Sequence, residues 1–419
     1  MHRSLHVLLA LAVCSSTGCG SLMGLDFEAP DKEQNTAPIT VETDQKIKKE
    51  TTPLGHIRRV ATGNYDSAVI MNDGAVWVWG WNAAGELGLG KVARQLVPVR
   101  AGQLTTGARL EDFDLGKGHG CSADVAGQIA CLGDGENGQL GSKISESLTP
   151  VGVPMLLPMQ KMGSTHLAVA SDYACAARID LSVWCWGNND NGQLGTGTTD
   201  IVSGPVQVSQ QLVSGGTNMA VGIGLGERHG CAVLAPRNEV FCWGDNSDGQ
   251  LGSPRSDGPR EPQLVPDVKD VLKVVAGNGF SCVLNRDSTV TCWGDNAYGQ
   301  LGAGDFRKHV DHTQVQKLVD VQDIVAGAAH VCALTTSGEV HCWGANLWGQ
   351  LGTGDQANAH SKVRVGNLPV AVGIVAGPSH TCAWSANDEV FCWGANNGGQ
   401  LGTGDTLDRL SPTRVARSW

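Results

Sequence analysis

The sequence predicts an all-β fold, a β-propeller assembled from repeats of about 50 residues. Three observations carry the prediction. A ten-residue frame, WGANNGGQLG in its C-terminal copy, occurs seven times, starting at Trp79, Leu132, Trp186, Trp243, Trp293, Trp343 and Trp393. The starts lie 53, 54, 57, 50, 50 and 50 residues apart, and a fixed period of this size marks a repeat architecture. Each unit also divides into short apolar runs separated by Gly-rich turns, with no helical periodicity anywhere.

Residues 1–19, MHRSLHVLLALAVCSSTGC, read as an export signal. Arg3 supplies the basic n-region, and Leu5 to Val13 form an apolar core far too short to span a bilayer. The run Ser16-Thr17-Gly18-Cys19 resembles a bacterial lipobox, with Ser16 in place of the usual Leu, and makes Cys19 the expected lipidation site. Residues 20–55 carry Pro30, Pro38, Pro53 and a mixed-charge run from Asp44 to Glu50. That composition cannot bury enough apolar surface to offset its ordering entropy, so the segment is expected to be a flexible linker.

The repeat domain runs from Ile57 to the C-terminus at residue 419. The unit from Asp323 reads as four strands: Ile324 to Ala326, His330 to Leu334, Val340 to Trp343, and one around Val363 to Val365. Turns at Gly327 and Ser337-Gly338 separate the first three, and the frame loop precedes the fourth. The third strand shows the layering. Val76, Ile129, Val183, Val240, Val290, Val340 and Val390 stand three residues before each frame, on the same face as the residue just before it. The other face carries the frame Trp and, in four units, Trp77, Trp184, Phe241 or Phe391, while Thr291 and His341 break the pattern. A strand apolar on both faces is sandwiched between layers, as a blade is between its neighbours.

Twelve of the 14 cysteines fall into six pairs. Cys121 goes with Cys131, Cys175 with Cys185, and Cys231 with Cys242. Cys282 goes with Cys292, Cys332 with Cys342, and Cys382 with Cys392. Unit one has Ala68 and Val78 at both matching positions. Loss as a pair is the behaviour of a disulfide, so each pair is expected to bridge the second and third strands of its unit in an oxidising compartment. Cys14 lies inside the export signal.

The unit VAxGxxHxCAL…GxVxCWGxNxxGQLGxGD resembles the repeat of the regulator of chromosome condensation family. The resemblance covers residues 57–419 and implies a seven-bladed propeller. Units five to seven match almost position for position. Unit two departs most, with Leu132 for Trp and Gly135 for Asn, and unit three has Ala170 where the first strand usually ends in Gly. Because the chain ends in the fourth-strand segment Ser411 to Val415 and the domain begins with a first strand at Ile57, the ring is expected to close by pairing that last strand with unit one.

Function is less legible. The net charge of −11, from 30 basic and 41 acidic residues, argues against nucleic acid, whose affinity comes largely from neutralised phosphates. No GxSxG, HExxH or phosphate-binding Gly loop is present, so no catalytic residue, cofactor or metal site is assigned. Asn82, Asn189, Asn246, Asn296, Asn346 and Asn396 read as loop organisers, and Asp134, Asp245 and Asp295 as turn residues. Asp305, Asp355 and Asp405 lack the tandem spacing of calcium β-helices. His119, His229, His330 and His380 each precede a paired Cys by two residues, a conceivable zinc pattern. Tyr173 and Phe280 fill the same slot, so it reads as packing. Gly222, Gly224 and Gly226 alternate on a strand and are expected to mark close backbone approach.

The leading expectation is therefore a cell-envelope or secreted scaffold that binds a protein partner on its loop face and meets the membrane only through a lipid anchor. A secreted enzyme inhibitor of the β-lactamase-inhibitor type is the alternative, since such a propeller resembles this architecture. Guanine-nucleotide exchange, which the resemblance also implies, is opposed by the export signal, the cysteine pairs and the acidic charge. The one named binding candidate is the slot five residues after the frame start, which holds Tyr298 and Trp348 in consecutive units. Two roles stay open for it: exposed anchors for a partner, or rings folded back over their own loops.

Overall fold

The computed structural model describes residues 56–154, 166–177, 182–209, 219–254, 261–417 and 419. The expected export signal, its Cys19 and the expected linker lie outside the described residues. The described residues belong to one compact unit. It holds seven four-stranded antiparallel sheets, and among the described residues no helix interrupts them. Blade six is typical: Val321–Ala326, His330–Thr335, Val340–Gly344 and Ala359–Arg364, hydrogen-bonded in chain order. First strands line the central axis and fourth strands form the outer rim.

The fourth strand of blade six begins at Ala359, earlier than the apolar pattern around Val363 to Val365 indicates. Its register with the third strand runs from His341↔Arg364 to Gly344↔Ala359 across an irregularity. An outer strand meets solvent on one side, so AHSKVR is held mainly by backbone pairing, with only Ala359 and Val363 packed against the core, and its polar composition hides it. The same geometry explains Thr291 and His341, which occupy a half-buried position near that rim.

Blades pack face to face. Leu334, Val340, Cys332 and Cys342 of blade six share a core with Ile374, Ala383 and Trp393 of blade seven. The six frame Trp residues are fully buried. Each removes roughly 200 Å² from water, worth about 5 kcal/mol of transfer free energy before ordering costs.

All six expected cysteine pairs are disulfides, each with its Cα atoms 4.1 Å apart. Cys121 is bridged to Cys131, Cys175 to Cys185, and Cys231 to Cys242. Cys282 is bridged to Cys292, Cys332 to Cys342, and Cys382 to Cys392. In every case the two residues are direct register partners on the second and third strands of one blade. Cross-strand neighbours at this distance are what a bridge between adjacent strands requires. In blade one Ala68 faces Val78 at the same register position.

Ring closure does not follow the expected strand exchange. The last strand, Arg409–Arg414, pairs with Val390–Gly394 of its own blade, and blade one is complete with its own four strands. Closure reuses the contacts found at other blade boundaries. Trp79 Nε1 donates to Gln400 O at 2.8 Å, and Gly404 N donates to Leu96 O at 2.9 Å. Three further contacts are added. His56 Nδ1 lies 2.7 Å from Asp388 Oδ2, and Ile57 N donates to Asp388 Oδ1 at 2.8 Å. The Trp419 ring stacks on Trp79 with centroids 6.4 Å apart.

Candidate functional site

The first turn of each blade and its frame loop lie on one face, because the second strand starts opposite the end of the third, as in His330↔Gly344. Side-chain amides close each frame loop. In blade six Leu351 N donates to Asn346 Oδ1 at 3.0 Å, and Asn346 Nδ2 donates to Asp355 O at 3.1 Å. Asp355 Oδ1 in turn accepts from Thr353 Oγ1 at 2.8 Å. Trp348 N donates to Gln350 Oε1 at 2.9 Å, and Tyr298 N makes the same bond to Gln300 Oε1. An Asn in this slot satisfies a donor and an acceptor of one tight loop at once, which is why the frame needs it. Asp134 and Asp245 accept from the N–H two residues on, as turn residues do.

This scaffold pins the backbone five residues into the frame and leaves its side chain to the surroundings. Tyr298 is 38% exposed and Trp348 48% exposed. Ala84, Asn137, Asn191 and Asp248 are half-buried in that slot, and Gly398 is buried beneath Tyr65. Blades five and six, neighbours in the ring, therefore present the two exposed aromatic rings of the set. Leu347 is also exposed, as is Phe306, which meets His360 edge-on at 5.0 Å.

Behind the loops runs a chain of contacts between blades that sequence reading registers only as packing. Thr381 Oγ1 donates to Gln350 O at 2.9 Å, and Trp393 Nε1 donates to the same oxygen at 2.9 Å. The hydroxyl has one hydrogen, so His330 Nε2, 2.9 Å from Thr381 Oγ1, must carry the proton and donate it. His229 reaches Ser281 and His380 reaches Ser67 in the same way. Burial lowers the imidazole pKa to about 4 for His229 and His330 and about 3 for His380, so all three are neutral near pH 7. With the neighbouring cysteines bridged, this slot holds no metal-ligand set.

The partners co-vary around the ring. Phe280 faces the blade whose hydroxyl slot holds Val331, so both are apolar. Tyr173, with Gly230 in the facing slot, extends its hydroxyl to His229 O at 2.7 Å. His119 faces Ala174 and its Nε2 has no partner. At the boundary of blades one and two Asp66 replaces His, Glu86 replaces Gln, and Leu132 replaces Trp. Asp66 is buried, and burial together with the Glu86 carboxylate raises its carboxyl well above the usual range.

The axis is narrow at the loop face, where the turns at Gly63, Gly116, Ala170, Gly226, Gly277, Gly327 and Gly377 border a cavity of about 200 Å³. A Cβ at Gly226 would lie 2.5 Å from Gly277 O of the next blade, so Gly permits this approach. Gly224 is comparably tight against Val274 O at 2.7 Å, but a Cβ at Gly222 would meet nothing, and the expectation of close approach fails there. Gly222 sits toward the far end of its strand, at the irregularity between Ala220 and Gly222. Farther along the axis Arg59 contacts Asp112 at 2.5 Å and Asp114 at 3.3 Å, and Lys273 contacts Asp323 at 2.7 Å. These channel cations are therefore already neutralised.

The family model described as regulator of chromosome condensation (RCC1) repeat matches residues 73–122, 182–233, 237–284, 287–334, 337–384 and 387–418. The chain is similar to the ultraviolet-B receptor UVR8 of Arabidopsis thaliana, 29% identical over 56% of this chain and 50% of that protein. It is 31% identical to the E3 ubiquitin-protein ligase HERC2 of Homo sapiens over 52% of this chain and 4% of that protein. The chain thus spans half or less of the length of these curated relatives. Among solved structures, yeast RCC1 (Prp20), determined with Kap60, aligns with a TM-score of 0.74 at 20% identity, covering 91% of this chain and 92% of that one. Human WBSCR16 aligns with a TM-score of 0.69 at 22% identity over 78% and 86%. At these identities the structural likeness shows the fold.

Proposed function

The chain belongs to the regulator of chromosome condensation (RCC1) repeat family, and on that premise we propose that it is a non-enzymatic protein-interaction scaffold working outside the cytoplasm, tethered through Cys19 and residues 20–55. The observation that carries the binding surface is the exposure of Tyr298 and Trp348 on adjacent blades, each with its backbone N–H held by the Gln side chain of its own loop. Rigid loops presenting large aromatic rings supply contact area at low entropic cost. Solved relatives described with Kap60, and with Gsp1p and histones, support a family use of the propeller as a surface for proteins. Six disulfides support an oxidising compartment.

The test is the double substitution Tyr298→Ala, Trp348→Ala. The scaffold reading expects loss of partner capture from an envelope extract with an unchanged melting temperature. A lowered melting temperature with capture retained would remove this site. Location is tested separately. Cys19→Ser should release the chain from membranes if the acyl anchor is what holds it.

A further inference from the structure

The outer strand of blade one is charge-inverted relative to its counterparts. In the frame loop Lys91 stands where blades five, six and seven have Asp305, Asp355 and Asp405. Register places Gln95 opposite Gly80 and Arg409 opposite Gly394, so Arg94 stands in the place of Asp408. Trp81, two residues into its frame, replaces Asp134, Asp245 and Asp295 of other blades. Arg100 pairs with Trp77 as Arg364 pairs with His341 and Arg414 with Phe391. Those two arginines are neutralised by Glu339 at 3.0 Å and Glu389 at 2.9 Å, but Ala75 occupies that position in blade one.

The result is a concentrated positive edge on a chain of net charge −11. From residue 87 to residue 110 there is no acidic side chain. Lys91, Arg94 and Arg100 are exposed, and among the described residues none has a carboxylate in ion-pair contact. Apolar surface accompanies the charge: Trp81 is 37% exposed, Val92 40% and Val97 37%. The Arg94 guanidinium lies over the Trp81 ring, 4.9 Å from its centroid.

From this juxtaposition we infer that the rim of blade one is a docking surface for a bilayer bearing anionic headgroups. Lys91 in the loop, with Arg94 and Arg100 at the two ends of the strand Arg94–Arg100, spaces three cations along one edge at about 3.3 Å per strand residue, which matches a flat charged surface. Trp and Val between them suit the headgroup boundary, where an aromatic ring keeps one side apolar and arginine stems lie along it. Recognition of an extended acidic peptide by strand addition fits less well. Leu96 O already accepts Gly404 N at 2.9 Å, and Pro98 has no N–H to offer. The inference rests on the proposal that the chain works in the cell envelope, where it would orient the propeller on its tether.

The experiment uses the full chain carrying Cys19→Ser, so that no acyl group contributes and anchoring is tested apart. Flotation is measured with phosphatidylcholine vesicles and with vesicles containing phosphatidylglycerol. Binding to the anionic vesicles, weakened by salt, is expected. Adding Lys91→Gln, Arg94→Gln and Arg100→Gln should weaken it about a hundredfold with unchanged thermal unfolding, since each surface cation contributes about a factor of five. Replacing Lys362 and Arg307 with Gln instead should leave it intact. Equal flotation with neutral vesicles, no flotation with either, or insensitivity to the triple substitution overturns the inference. Binding to soluble polyglutamate without flotation also overturns it, in favour of an acidic protein segment. Because the rim contact is weakened by salt, the fractionation test of Cys19 is read after a high-salt wash, where only an acyl anchor would still hold the chain.

Discussion

His330 of blade six donates its Nε2–H to Thr381 Oγ1 of blade seven, and Thr381 passes its own hydrogen to Gln350 O. One hydroxyl thus joins two blades through a ring nitrogen and a frame carbonyl, all buried. Thr381→Val should leave the His330 N–H unsatisfied and cost about 1–3 kcal/mol by chemical denaturation. Adding His330→Phe recreates the apolar pair of Phe280 and Val331 next door. The double variant should recover most of the loss, and a double variant less stable than the single would refute this account.

His119 offers the converse case. It faces Ala174, while Gln139 O already accepts Trp186 Nε1 at 3.0 Å. Ala174→Ser should supply the missing hydroxyl between them and stabilise the fold by about 1 kcal/mol near pH 7. The melting temperature would rise by a degree or more; a fall would mean that the added oxygen does not fit.

Acid should act through the same slot. Burial holds His119, His229 and His330 near pKa 4 in the fold, against about 6.5 when unfolded. Below 6.5 the unfolded chain takes up protons that the fold refuses. The stability from each neutral His is therefore complete above pH 6.5 and is lost as pH falls toward 4, on the order of 3 kcal/mol apiece. Asp114 opposes this trend. Burial raises its carboxyl to about 6, so its contribution is complete below its unfolded value and disappears as pH rises through 6. Denaturation of the His330→Phe, Thr381→Val variant across this window should show a flatter pH dependence than the parent. An identical slope would show that His330 does not titrate as described.

The disulfides can be tested against the chain's own exception. Replacing Cys332 with Ala and Cys342 with Val reproduces the Ala68–Val78 pair of blade one. Closing a loop of 10 residues limits the unfolded chain by about 2–3 kcal/mol, so the variant should lose that much, measured under oxidising conditions. Mass spectrometry of unreduced peptides from the parent should recover six linked pairs, and free thiols at most of the twelve positions would contradict both the pairing and the compartment.

Removing residues 411–419 should destabilise the propeller far more than removing residues 20–50. The truncation deletes Ser411 to Arg414 from the last strand, the buried Val415 and the Trp419 ring stacked on Trp79. Equal, small shifts in melting temperature for the two deletions would rule out a structural role for the C-terminal segment.

Much of this architecture is determined by sequence alone, because it is local and repeated. The frame spacing, the alternation around Val340 and Cys342, and the joint absence of both cysteines from unit one each restate one blade. Short-range rules on turns, strand faces and paired cysteines suffice for these features. What only the tertiary structure decided depends on distance in space between residues on different strands or blades, such as His330 and Thr381 or Trp79 and Gln400. That Arg409–Arg414 stays in its own blade is a choice between two edges that look alike in sequence. The partnership of His330 with Thr381 is invisible until blades six and seven are stacked. The positive rim appears only when register shows that Arg94 takes the place of Asp408 and that Ala75 leaves Arg100 unpaired. Burial and charge pairing arise between elements, and an amino-acid sequence lists elements without their neighbours.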